Sequence, residues 1–149
     1  MNCSWIHLVW DTAGQEKYQS LAPLYYRGAI AAILVYDICN SPSYDALPKW
    51  LKRLQEVGPK GLIKIIVGNK CDLQEERQVM KETAELFAIK ENCLYLEASA
   101  RDNVNVEQIF HEIGNLLPQL SISEKAAMSN GQSLRLDEAA PSIRQRCGC

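Results

Sequence analysis

Three short polar clusters in this sequence carry residue types that can do chemistry. They are WDTAGQE over residues 10–16, NKCD over residues 69–72 and EASA over residues 97–100. The Asp72 carboxylate in the second cluster can accept two hydrogen bonds side by side, which suits a ligand with two adjacent N–H donors. Each string alone is a weak signal, because a turn, a polar loop or a helix start would also produce it. Their positions relative to the predicted strands therefore matter more than the strings themselves.

Each polar cluster lies at the end of an apolar run that has the character of a β-strand. The predicted strands cover residues 6–10, 28–36, 62–68 and 93–96. In the first, Ile6, Leu8 and Trp10 alternate as along a strand, whereas the other three run almost without polar residues. A continuously apolar strand indicates burial on both faces, as in a parallel sheet that is covered by helices.

Helical periodicity occupies the intervals between these runs. The first predicted helix spans residues 47–54, and Pro48 fits its first turn, where a missing N–H costs least. The second spans residues 80–90 and has four predicted inner residues: Thr83, Ala84, Phe87 and Ala88. The third begins after Asn105 as its N-cap, with Gln108 placed for a capping box.

The alternation of strands and helices predicts an α/β fold with a mostly parallel sheet and right-handed crossovers. In such sheets the carboxyl ends of the strands meet at one edge, and ligands bind there. We therefore expect the three polar clusters to lie close together. Residues 1–118 form the predicted folded domain, whereas residues 119–149 lack a sustained period and are predicted to be a flexible tail.

Composition and charge disfavour several other classes of protein. The chain has 149 residues, of which 47% are hydrophobic and 23% charged, as in an ordinary single domain. Its net charge of −2 argues against nucleic acid as a partner, since a nucleic-acid binder would show a basic face. No Ser-His-Asp, Cys-His or zinc arrangement is visible, which disfavours an enzyme of those types. The four isolated cysteines are expected to be reduced thiols: Cys3, Cys39, Cys71 and Cys93.

The three clusters, in this order and each after a predicted strand, resemble those of the Ras superfamily. The stretch WDTAGQEKYQSLAPLYYRGA and a carboxyl-terminal Cys-Gly-Cys are similar to the Rab family within it. The resemblance covers nearly everything from about Ile6 to Pro118. It implies a P-loop-NTPase-like small GTPase fold that binds GTP or GDP with Mg²⁺ and hydrolyses GTP to GDP.

The resemblance assigns the second and third clusters to recognition of guanine. Asp72 would accept hydrogen bonds from N1–H and the 2-amino group, a pair of donors that adenine lacks. Asn69 would tie the loops together and contact N7, the stem of Lys70 would cover the base, and the Ala100 N–H would meet O6. The nucleotide-binding residues implied in these clusters are Asn69, Lys70, Asp72, Ser99, Ala100 and Arg101.

The resemblance assigns the first cluster to the γ-phosphate. Asp11 would hold Mg²⁺ through water, Gly14 would offer its N–H to the γ-phosphate, and Gln15 would orient the attacking water as the catalytic residue. Trp10 and Tyr25 are either core aromatics or part of an effector-binding surface, and the sequence leaves both possibilities open.

The carboxyl-terminal Cys147 and Cys149 are either free thiols or, as the resemblance implies, a geranylgeranylation site. Two lipid chains are needed because one gives only marginal and reversible membrane binding. The implied partners are Rab escort protein and GDI, a GAP, an exchange factor and effectors. The implied location is the cytosolic face of endosomal or other vesicle membranes, and the GNKCDL string favours the early-endosomal branch.

The sequence departs from the family in having no G-x-x-x-x-G-K-[ST] string, and residues 1–9 are too few to hold the first strand, the P-loop and the first helix. The first two strands and the first helix of the family fold are therefore expected to be lacking, together with the P-loop and switch I. We expect weak nucleotide and Mg²⁺ binding and little or no hydrolysis from these residues alone. Two interpretations remain open: a shortened form of an ordinary Rab GTPase, or a non-catalytic prenylated decoy that competes for Rab partners.

Overall fold

The computed structural model describes Val9, Asp11, Tyr26 and residues 28–117. A parallel sheet with flanking helices lies within residues 28–117. The strands are β1 (Ala31–Asp37), β2 (Ile63–Asn69) and β3 (Leu94–Glu97). The helices are α1 (Ser41–Asp45), α2 (Leu47–Val57), α3 (Lys81–Lys90) and α4 (Val106–Leu116). The sheet order is β1-β2-β3, and both pairs are parallel, which confirms the predicted α/β class.

The central strand β2 is buried on both faces, as its continuous apolar run predicts. Ile65 and Ile66 are fully buried and point to opposite faces of the sheet. Ile66 belongs to a core cluster with residues of α2 and α3, whereas Ile65 packs with Ile109 and Ile113 of α4. Helices therefore cover both faces of β2. Only Val9 is described from the predicted strand at residues 6–10, and it is exposed.

The α3 helix confirms the predicted span to within one residue but corrects its inner face. Ala84 and Ala88 are fully buried, and Phe87 packs against the same core. Thr83 is exposed, so its predicted burial was wrong. The two alanines, one turn apart, form a narrow ridge that lies against the core, and Thr83 projects about 100° away from Ala84.

The start of α4 differs from the predicted capping box. Asn105 occupies the N-cap position, but its φ of 58° is left-handed and its side chain makes no capping bond. Instead its Nδ2 donates to the Glu97 carbonyl at 2.8 Å. The side chain therefore ties the start of α4 to the carboxyl end of β3, and the predicted role of Gln108 is not realised.

The described cysteines, Cys39, Cys71 and Cys93, are half-buried free thiols, as their isolated positions predicted. Burial is the main reason why the pKa of each thiol lies above its ordinary value. They are therefore protonated at neutral pH and act as small apolar residues. Within the part of the chain that the structure describes, no helix combines the length and apolar character needed to cross a membrane.

Gly68 leaves room for Tyr36, and we expect Gly68→Ala to destabilise the fold. An added Cβ would lie 2.9 Å from the Tyr36 hydroxyl oxygen and 3.1 Å from Ile38 Cγ2. Tyr36 is almost fully buried and hydrogen-bonded to Tyr95 at 3.0 Å, so it has little freedom to move away. The expected loss is about 1–3 kcal/mol in the free energy of unfolding, measured by urea denaturation.

Gly114→Ala is the matched control for this prediction. Gly114 lies inside α4, and an added Cβ would meet nothing within 4 Å. Alanine is the better helix former, so this variant should gain about 0.5–1 kcal/mol. Equal unfolding free energies for Gly68→Ala and the unmodified chain would show that Tyr36 does not require the glycine.

Candidate nucleotide-binding site

The carboxyl ends of the three strands meet at one edge of the sheet and bring two of the polar clusters together. β2 ends at Asn69, and β3 leads directly into Ala98. The Ala98 N–H donates to the Gly68 carbonyl at 2.9 Å, and the Cys71 N–H donates to the Ala98 carbonyl at 3.1 Å. The loops after β2 and β3 are therefore joined through their backbones.

Asn69 joins the same two loops through its side chain. Its Oδ1 accepts a hydrogen bond from the Ala100 N–H at 3.1 Å. This arrangement directs the amide Nδ2 away from that bond, so it remains a donor for another group. The Ala100 N–H, which the resemblance assigned to guanine O6, is here directed at Asn69. A bound base would share this donor.

Lys70 is held by a residue that the sequence analysis missed. Its Nζ lies 2.7 Å from Asp37 Oδ2, and its φ of 67° is unusual for a residue other than glycine. Asp37 ends β1, and its Oδ1 also accepts the Cys39 N–H at 2.8 Å. Burial opposes ionisation of Asp37, but the bonds from Lys70 and Cys39 outweigh it and lower the pKa of the carboxyl. The polar residue directly after the apolar run was the available signal.

Asp72 presents a buried acceptor atom that lacks a donor. Its Oδ1 makes no hydrogen bond with any part of the chain that the structure describes. The neighbouring hydroxyl of Ser99, a fully buried residue, is the main reason why the pKa of the Asp72 carboxyl lies below its ordinary value. The group is therefore ionised at neutral pH. A buried carboxylate oxygen without a donor is costly, so this position suits a ligand that offers N–H groups.

Asp72 lines a cavity of about 280 Å³ between the two loops. The other lining residues are Asn69, Lys70, Leu73 and Arg101. The volume lies just below the usual range for small-ligand sites and is sufficient for a planar base. Most predicted base-binding residues therefore surround one space, with the Ala100 N–H bonded to Asn69 and Ser99 lying beside Asp72.

A tight backbone turn after β3 holds Ser99 and Ala100 in place. Ser99 and Val104 exchange two backbone hydrogen bonds, at 3.1 and 3.0 Å. The Ser99 hydroxyl oxygen also accepts the Asp102 N–H at 3.1 Å. Arg101 is largely exposed, and its Nε lies 4.0 Å from Asp102 Oδ1. The turn therefore fixes the backbone, while the Arg101 side chain stays in solvent at the mouth of the cavity.

A largely buried ion pair joins the loop after β2 to the end of β3. Two nitrogens of Arg77 contact the two carboxylate oxygens of Glu97, at 2.8 and 2.9 Å. Arg77 also donates to the Val79 carbonyl at 3.0 Å, and the Tyr95 hydroxyl donates to Glu97 at 2.9 Å. Nothing in the spacing of Arg77 and Glu97 marks them as partners, so this pair could not be predicted from the sequence.

The structure leaves the phosphate-side and tail predictions untested. Asp11 is exposed, and within the described residues no group of three His, Cys, Asp or Glu side chains could hold a metal ion. The remaining predicted residues lie outside the described part of the chain: Trp10, Gly14, Gln15, Tyr25, Cys147 and Cys149. Their roles stay predictions.

Comparisons with known proteins agree with this geometry. The model of the Ras family matches residues 4–119. Ras-related protein Rab-31 of Rattus norvegicus is 41% identical over 140 residues, which cover 94% of this chain and 70% of that protein. Ras-related protein RHN1 of Nicotiana plumbaginifolia is 44% identical over 141 residues, covering 95% and 68%. Ras-related protein Rab-22A of Mus musculus is 39% identical over 134 residues, covering 90% and 69%. The strand-end loops and the matched sequence lead to one conclusion: this chain belongs to the Ras family, as a Rab small GTPase.

Proposed function

We propose that this chain recognises the guanine base of GTP and GDP in a membrane-traffic switch. The observation that carries this proposal is the buried Asp72 Oδ1, an ionised acceptor at the wall of the cavity for which the described residues supply no donor. Guanine offers two adjacent N–H donors, and adenine does not. An adenine ligand would leave this acceptor unpaired, so discrimination between the two bases should be strong.

The other residues of the cavity complement the remaining edges of guanine. The Nδ2 of Asn69 is available to N7, since its Oδ1 is occupied by the Ala100 N–H. The contact with Asp37 fixes the position of the Lys70 ammonium group. The aliphatic stem of Lys70 then lies along the cavity wall and offers a surface to the base. Arg101 adds positive charge at the mouth of the cavity, where the phosphate groups of a bound nucleotide would extend into solvent.

We propose roles at the phosphate side of the nucleotide for Asp11, Gly14 and Gln15. Asp11 would hold Mg²⁺ through water, Gly14 would bind the γ-phosphate, and Gln15 would orient the attacking water, with Mg²⁺ supplying charge stabilisation. The 149 printed residues contain no G-x-x-x-x-G-K-[ST] string to cradle phosphates. A protein made of these residues alone should therefore bind the base without holding the phosphates tightly, and should hydrolyse GTP little or not at all.

Titration of the purified chain with guanosine, GTP and adenosine tests this proposal by NMR. We expect guanosine and GTP to bind within about tenfold of each other, with dissociation constants of roughly 1 mM. The amide signals of Asn69 and Ala100 should shift, and adenosine should leave them unchanged. Tight, Mg²⁺-dependent GTP binding would contradict the weak-phosphate part of the proposal. Equal shifts with adenosine would contradict base recognition.

We further propose that geranylgeranyl groups on Cys147 and Cys149 attach the protein to the cytosolic face of endosomal or other vesicle membranes. The attachment would bring it to Rab escort protein and GDI, a GAP, an exchange factor and effectors, with Trp10 and Tyr25 on the effector surface. The support is the Rab membership of the chain and its carboxyl-terminal Cys-Gly-Cys.

Replacing both tail cysteines with serine should release the protein from membranes. Cells expressing the unmodified chain should show it in the membrane pellet, and Cys147→Ser/Cys149→Ser should appear in the cytosolic fraction. Each single variant should be intermediate, because one lipid chain gives only marginal binding. Cys93→Ser is the matched control and should leave the distribution unchanged. Membrane association of the double variant would point to a different anchor.

A second candidate function is a non-catalytic decoy that competes for Rab partners. The sequence feature that favours it is the combination of a prenylation motif with no P-loop string in the printed residues. A prenylated chain that does not hydrolyse GTP but still binds Rab escort protein would support the decoy. Hydrolysis of GTP by the purified chain would exclude it.

A further inference from the structure

The outward side of α3 carries an apolar pair with a charge at each end. Ala84 and Ala88 face the core, whereas Leu86 and Ile89 are each 68% exposed on the opposite side. Glu82 and Lys90 are exposed and lie one turn before and one turn after Leu86. We call these four residues, Glu82, Leu86, Ile89 and Lys90, the outer face of α3.

The outer face is complementary to itself in one orientation. Glu82 and Lys90 are equally far from Leu86 along the helix and have opposite charges. A second copy in antiparallel orientation, centred on Leu86, therefore places Leu86 against Leu86 and each Glu82 near Lys90 of the other copy. We propose that the outer face of α3 is a two-fold symmetric interface between two copies of this chain.

The charges on α3 favour an antiparallel second copy over a parallel pair of helices or a lipid surface. A parallel pair of the same helices would place Glu82 against Glu82, and like charges would oppose it. An anionic lipid surface would gain little from this helix, because the exposed Glu82 and Glu85 offset the exposed lysines of α3, Lys81 and Lys90. The antiparallel second copy buries the apolar pair and matches both charges. The proposal does not rest on guanine recognition, because none of these residues lines the cavity.

The size of the interface predicts a weak dimer. The ten residues of α3 span about 15 Å, which is short for a stable protein–protein contact. The dissociation constant should therefore lie roughly between 10 µM and 1 mM. Dimerisation should be reversible and visible only as protein concentration rises.

Sedimentation equilibrium of the full chain, with reductant to prevent disulfide dimers, tests this interface. The average mass should rise with concentration towards that of two chains. Glu82→Lys and Lys90→Glu should each weaken association at least about threefold, because each creates two like-charge contacts by symmetry. The double variant Glu82→Lys/Lys90→Glu should restore association to within about twofold of the unmodified chain.

Two further variants make the test specific. Leu86→Lys should abolish association, because it places two positive charges against each other at the symmetry axis. Glu107→Lys on the exposed side of α4 changes the net charge by the same amount as Glu82→Lys and should leave association unchanged. A chain that stays monomeric at all concentrations overturns the proposal. The proposal is also overturned if the double variant associates no more strongly than the single variants, or if Glu107→Lys weakens association as much as Glu82→Lys does.

Discussion

Asp72→Ala should abolish measurable guanosine binding while leaving the protein folded. The carboxylate is proposed to accept both adjacent N–H groups of guanine, and hydrogen bonds to charged groups each contribute about 1.5–3 kcal/mol. Without both hydrogen bonds, a ligand whose dissociation constant is roughly 1 mM would bind too weakly to be detected. In NMR titration the amide signals of Asn69 and Ala100 should show no saturable shift.

The stability of the fold should respond far less than binding does. Asp72 Oδ1 is buried without a hydrogen-bond donor in the described structure, so the unliganded protein carries its desolvation cost. The lowered pKa of the Asp72 carboxyl means that the folded state favours its ionised form, so the two effects offset each other and the free energy of unfolding should change little. A loss of several kcal/mol would mean that the carboxylate stabilises the fold and is not reserved for a ligand.

Asp72→Asn tests the pattern of donors and acceptors rather than the presence of a side chain. The asparagine amide offers one acceptor and one donor side by side, which match the N1–H and the 2-carbonyl oxygen of xanthine. This variant should prefer xanthosine to guanosine, the reverse of the unmodified chain. Asp102→Asn, on an exposed neighbouring residue, is the matched control and should keep the guanosine preference. An unchanged preference in Asp72→Asn would show that Asp72 does not read the base.

Glu97→Ala and Arg77→Ala should be the most destabilising of the polar substitutions. Both side chains are only 12% exposed, so removing one leaves the charge of the other largely buried and unpaired. The expected cost is about 3 kcal/mol for each, measured by urea denaturation. The exposed Arg101 is the matched control, because its contact with Asp102 is long and solvated; Arg101→Ala should cost within about 0.5 kcal/mol.

The double variant Arg77→Met/Glu97→Leu measures how much of the stability comes from the interaction between the two side chains. It removes both charges and keeps similar volume, so it should cost less than the sum of the single variants Arg77→Met and Glu97→Leu. The coupling between the two positions should be about 1–3 kcal/mol. Strict additivity would show that Arg77 and Glu97 act independently, contrary to the two short contacts between them.

Acid should weaken the protein partly through Glu97. Burial opposes ionisation of Glu97, but hydrogen bonds from Arg77 and Tyr95 outweigh it and lower the pKa of the carboxyl from 4.5. A carboxyl with a lowered folded-state pKa contributes stability above its unfolded value and loses it as pH falls through the folded value. Stability should therefore fall below about pH 4.5, and Glu97→Gln should show a flatter dependence there than the unmodified chain.

Local pattern in the sequence determined the fold class and the placement of the site. Residues 62–68 are almost continuously apolar, and the strand they form is buried on both faces between helices. Asn69 follows that strand directly, and its position at the carboxyl edge of a parallel sheet followed from the alternation of elements. These features could be predicted because burial and chain direction act within a few residues, where periodicity records them.

Tertiary structure alone decided which side chains support the site. The contacts of Lys70 with Asp37 and of Arg77 with Glu97 join residues on different strands and loops. The same holds for Asn105, whose side chain bonds to the Glu97 carbonyl rather than capping its own helix. Such pairs depend on the register of β1, β2 and β3, which the local sequence does not encode, because many partners far along the chain are chemically equivalent until packing selects one.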